Sequence, residues 1–122
     1  ADLAEKYTSD KTYQTGTVMV IDMLGGNNEV TACHKFMDYR VAGVVSENPA
    51  FIMNETLRGS VTIALKGRVP VRVSGYVKKG DLLVTSDELG CATSAQTPDV
   101  PHSAIVGIAL KDAEMGWTEV KV

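Results

Sequence analysis

A mainly β fold, closed into one compact barrel-like domain of short antiparallel strands with a short helical turn at the N-terminus, is what this sequence predicts. Three observations predict it. Short segments rich in Val, Ile and Thr recur between Gly, Asn, Pro and Asp, the punctuation of strands joined by turns. Beyond the N-terminus apolar residues alternate or run together and do not return at helical spacing. A chain of 122 residues with 44% hydrophobic side chains is long enough to bury its own core and short enough to need only one, so residues 1–122 form a single domain.

The strands are expected at 17–22, 29–34, 41–46, 61–66, 69–73, 82–85, 105–110 and 117–122. Before them, Asp2 can cap one turn of helix, with Glu5 three residues on to complete the cap. Gly25-Gly-Asn-Asn28 joins the first two strands as a hairpin, because these residues accept the positive φ that tight turns require. Segments 47–54 and 99–103 are loops, since a proline biases the residue before it away from helix. Phe51, Ile52 and Met53 should pack the first of these loops down onto the domain.

"VPVRVSGYVKKGDLLVT", residues 69–85, has the glycines and lysines of an anion-binding loop but not their arrangement. A phosphate cradle needs glycines at a strand-to-helix junction. Here Asp81 adds a negative charge and residues 82–85 continue as strand. The segment is a β-corner: Val69, Val71 and Val73 face the core, Arg68 and Arg72 face outward, and Gly80-Asp81 makes the bend. Pro70 lacks an N–H and suits a strand flank that pairs with nothing.

Charge and hydropathy exclude several classes. A net charge of −3 gives no general attraction for nucleic acid. The longest apolar runs, such as Val18-Met-Val-Ile21, fall far short of the roughly 20 residues of a membrane helix. The opening "ADLAEKYTSDKTY" has neither the basic start nor the apolar middle of a secretion signal. Cys33 and Cys91 read as small buried thiols, with a single bridge as the other arrangement two cysteines allow.

Candidate chemistry is sparse. Cys33, His34, Cys91 and His102 carry metal-ligating atoms, but adjacent strand residues such as Cys33 and His34 point to opposite faces. Neither a metal nor a cofactor is expected. Ser103, Cys91, His34 and His102 supply the residue types of a nucleophilic triad, without a nucleophile elbow to hold them. Asp2 and Glu5 remain as an acidic pair that a helical turn would place on one side, either as a cap or as a proton-handling pair.

The blocks "DLAEKYTSDKTYQTGTVMVI", "RVAGVVSENPAFIMN", "IALKGRVPVRVSG", "VKKGDLLVTSDELGCAT" and "AIVGIALKDAEMG", in that order and nearly end to end, resemble the C-terminal ends of phage tail-fibre and appendage proteins. The resemblance implies a virion structural domain, part of a longer chain, that forms a homotrimer with other virion proteins as neighbours. In related domains the C-terminal part is an intramolecular chaperone that cuts itself from the finished fibre near an Asp-x-Ala-Glu opening. Here Asp2 would border the cut and Glu5 would transfer the proton, with Ala1 standing where related sites have a serine. Beyond such a single self-cleavage no enzyme activity is expected.

The second half, "GRVPVRVSGYVKKGDLLVT" with "AIVGIALKDA", is similar to β-clip domains of phage capsid decoration proteins. That similarity implies a β-clip variant of the barrel and offers capsid decoration as an alternative role. A third role is contact with host-surface glycans, for which Tyr39, Tyr76 and Trp117 supply stacking faces. Arg68, Arg72, Tyr76 and Trp117 are the residues expected at a subunit or partner interface.

Overall fold

A computed structural model describes residues 1–24 and 26–122, with every side chain but that of Met115. Its described residues form ten strands: β1 (Asp2–Thr8), β2 (Val18–Ile21), β3 (Val30–Ala32), β4 (Val41–Val45), β5 (Phe51–Met53), β6 (Ser60–Val77), β7 (Leu82–Thr85), β8 (Ala92–Ser94), β9 (Ile105–Ala109) and β10 (Ala113–Lys121). A 3₁₀ turn at His102–Ala104 leads into β9.

The 18 residues of β6 organise the molecule. Its second half pairs with β10 along one side and meets β8 at Val73. From β8 the hydrogen-bonded order continues through β7 and β9 back to β10, so these five strands close into a barrel. The first half of β6 lies between β1 and β4, and the order continues from β4 through β2 to β3. A parallel bridge from Ser9 to Val30 brings the end of β1 against β3, which draws this second sheet round on itself as well.

One irregularity lets a single strand serve two cores. The register of β6 with β1 slips between Leu3↔Lys66 and Ala4↔Ala64, leaving Leu65 as an extra residue. Shifting a strand by one residue exchanges its faces. Val61 and Ile63 therefore enter a core with Met19, Val30 and Val45, while Val69, Val71 and Val73 enter the barrel core with Leu83, Val106 and Val120. Strand β2 is buried on both faces for the same reason: Val18 and Val20 face the barrel core and Met19 faces the other. Its unbroken apolar run is the signature of that double burial.

The β-corner forms as expected. Val69, Val71 and Val73 are buried and Arg68 is exposed, while Arg72 is half-buried. Lys78 to Asp81 is the turn: Asp81 N donates to Lys78 O at 2.9 Å, Lys78 N donates to Asp81 Oδ2 at 2.9 Å, and Gly80 takes φ 93°. The N–H groups of Arg68 and Arg72 donate to Ala1 O (3.3 Å) and Gly16 O (3.0 Å). Pro70 sits between them, where the flank offers no partner.

Four expectations are corrected. Residues 2–8 form strand β1, not a helical turn, because seven consecutive positions pair with β6. Sheet pairing outweighs a local capping signal worth about 1 kcal/mol. Segments 61–66 and 69–73 are one strand. The expected loop 47–54 holds a short strand, β5, in parallel register with β1. The first hairpin pairs Ile21 with Val30, a wider loop than a tight turn, and Gly25 lies outside the described residues.

Candidate functional site

Strand β1 sends alternate side chains to opposite faces. Asp2 and Ala4 are buried, whereas Leu3, Glu5 and Tyr7 lie on the other side. The acidic pair is therefore not brought together: Asp2 and Glu5 sit on opposite faces, separated along the strand by roughly 10 Å. Glu5 Oε1 accepts a hydrogen bond from Tyr7 Oη at 3.2 Å. Burial first, then the Glu5 charge and this hydrogen bond, with a further contribution from Glu29, raise the Tyr7 phenol above its ordinary value of 10.0.

Asp2 is 8% exposed, and its Oδ2 has no hydrogen-bond partner. It borders a cleft of about 350 Å³ whose wall includes Ser46, Glu47, Arg68 and Glu119. This oxygen is itself buried, and an unpaired buried acceptor is costly.

Three of the four expected interface residues belong to one surface. The register of β6 with β10 sets Arg68 opposite Lys121, Pro70 opposite Glu119 and Arg72 opposite Trp117. These six side chains share the outward face of the ladder. Trp117 remains half exposed although it is the largest side chain in the protein.

Tyr76, the fourth, lies apart. Between Val73↔Gly116 and Tyr76↔Glu114 the register slips, so that Ser74 and Gly75 lie opposite a single position of β10. Such a bulge re-aims the side chain that follows it. Tyr76 emerges 58% exposed on a cleft of about 610 Å³, walled by the Lys78–Asp81 turn on one side and Gln96-Thr97-Pro98 on the other. Sequence reasoning missed the second wall, since Gln96, at φ 64°, gives no glycine-like signal of its left-handed backbone.

The cysteines are free and buried. Cys33 Sγ donates to Cys91 O at 3.3 Å. Burial pushes the Cys33 thiol up to about 11, against partial relief from backbone hydrogen bonds. Cys91 is also raised, by burial, although the Arg72 charge opposes the shift. Neither thiol is prepared for nucleophilic work. Among the described residues no three His, Cys, Asp or Glu side chains are grouped to hold a metal, and no helix is long and apolar enough to cross a membrane.

No family model and no curated protein matches the chain. Its fold does match a solved structure, that of the bacteriophage phi29 gene product 12 C-terminal fragment, with a TM-score of 0.68 over 99% of each chain at 16% identity. The two chains are alike from end to end in fold.

Proposed function

We propose that this chain is a structural domain of a bacteriophage particle, a C-terminal tail-fibre or appendage domain that promotes assembly as a homotrimer among other virion proteins. The observation that carries the reading is the fold shared with the phi29 gene product 12 C-terminal fragment over 99% of both chains. It agrees with the block order in the sequence. A subunit surface is supported by Trp117 and Phe51, both more than half exposed, and by Arg72, paired with Trp117 across the ladder. Sedimentation of the purified chain tests it: a trimer is expected at tens of micromolar, and a strict monomer there removes the assembly role.

Self-cleavage beside Asp2 is the finer part of the reading. Its support is the unpartnered Asp2 oxygen at the end of β1. Since Glu5 lies on the other face, it serves as proton-transfer group only for the junction of a neighbouring copy. An extended chain carrying residues upstream of Ala1 should release a fragment, and Glu5→Gln should stop the release. Equal rates for parent and variant would remove Glu5 from the chemistry.

A second reading, contact with a host-surface glycan, is favoured by one observation: the exposed Tyr76 ring beside a polar cleft.

A further inference from the structure

The geometry points to a binding site for a neutral oligosaccharide in the cleft beside Tyr76. This deepens the glycan-contact reading and rests on it. The cleft's volume of about 610 Å³ is within the range of small-molecule sites, with room for more than one sugar ring.

Its lining selects the ligand class. Tyr76 presents an open aromatic face, the platform on which the C–H face of a sugar stacks. Around it stand Asp81, Ser94, Gln96 and Thr97, which together offer the hydroxyl, amide and carboxylate groups that hydrogen-bond vicinal hydroxyls. Asp81 uses one carboxylate oxygen to accept from Lys78 N, and a carboxylate has further acceptor capacity. Among the described residues of the lining only Lys78 and Asp81 are charged, and they have opposite signs. An anionic ligand therefore gains little net attraction, and a greasy one finds only Leu82, Pro98 and the Tyr76 ring to bury it.

Both walls are fixed before any ligand arrives. Gly80 N donates to Ala109 O (2.8 Å) and Ala109 N to Asp81 O (3.0 Å), which ties the lysine-bearing turn to β9. Ala95 N donates to Leu82 O at 2.9 Å, which holds the start of the opposite wall against β7. Thr93 Oγ1 donates to Ser74 O at 3.0 Å, locking β8 to the bulge that aims Tyr76. Gln96, whose φ of 64° is uncommon for a residue with a side chain, is held at the rim by this frame, as residues in such conformations often are at binding sites. A preformed site loses little conformational freedom on binding.

The test is an amide NMR titration of the intact 122-residue chain with three saccharides in turn: chitobiose, lactose and maltose. Saturable shifts from at least one, centred on Tyr76, Leu82 and residues 94–97, are expected. Tyr76→Ala should weaken that binding roughly tenfold, the loss of about one aromatic contact, Tyr76→Phe should keep it, and Phe36→Ala, at an exposed aromatic outside the lining, should leave it unchanged. Silence from all three sugars at tens of millimolar overturns the proposal, and so do shifts centred elsewhere. So does burial of Tyr76 by a second copy, seen as a lower oligomeric mass in Tyr76→Ala. Sedimentation of the same samples separates the two readings: a trimer that binds no sugar loses only this site, and a monomer that binds sugar loses only the assembly role.

Discussion

An edge of the Trp117 indole packs against Gly16. A Cβ added at Gly16 would come within 2.9 Å of Cη2 and 3.0 Å of Cε3 of the indole. Gly16 also holds φ 88°, where a side chain is strained, and its carbonyl accepts from Arg72 N. The glycine is thus both seat for the indole and anchor for the strand that carries Arg72. Gly16→Ala should destabilise the fold by about 1–3 kcal/mol, through overpacking and backbone strain together. Urea denaturation followed by Trp117 fluorescence reads both the loss and the displacement of the ring. An unchanged midpoint would mean that the indole does not rest there in solution.

The two cores on β6 make a sharper contrast. Ile63 is fully buried in one and Val71 in the other, while Arg68 between them is exposed. Ile63→Ala should cost roughly 2–5 kcal/mol, the range for cavity formation by a large aliphatic, and Arg68→Ala less than about 0.5 kcal/mol. If thermal melting ranks Arg68→Ala the more damaging, the assignment of faces is wrong or Arg68 is buried by another subunit.

These two halves of β6 also show what was legible in the sequence. Val69, Val71 and Val73 alternate with Arg68, Pro70 and Arg72, so their inward face could be read directly, and the Lys-Gly-Asp bend with it. The joining of 61–66 to 69–73 could not, because Gly67 between them looks like a break and becomes continuous only through pairing with β1 and β10. Strand β1 was hidden for a related reason. Asp2 and Glu5 have the spacing of a helix cap, and only long-range partners on β6 decide otherwise. The aromatic of the cleft was visible as Tyr76. Its surroundings were not, since a bulge and the backbone of Gln96 are tertiary features without a residue signature.

Cys33 ties stability to alkaline pH. Its thiol is raised in the folded protein from an ordinary value of 9.0 to about 11, so the fold favours the protonated form. The contribution is fully present below pH 9 and is lost as pH climbs from 9 towards 11, because only the unfolded chain ionises readily there. Two units correspond to a loss on the order of 3 kcal/mol. Denaturant midpoints measured across that interval should fall more for the parent than for Cys33→Ala, whatever the difference in their absolute stabilities. In the native state at neutral pH, Cys33 should also resist alkylation by iodoacetamide until urea is added.

Glu5 and Tyr7 offer a test of the strand geometry that does not depend on processing. The phenol is raised chiefly by burial and then by Glu5, through charge and hydrogen bond. Replacing Glu5 by Gln removes the charge while keeping an acceptor, so the Tyr7 phenol should ionise at lower pH than in the parent and remain above its ordinary value because burial persists. Difference absorbance of phenolate formation, with Tyr7→Phe as the reference that isolates this residue, measures the shift. A helical turn would point residues 5 and 7 away from each other, and Glu5→Gln would then leave the titration where it was. The direction of this one shift therefore decides between strand and helix at the N-terminus, on which the separation of Asp2 from Glu5 depends.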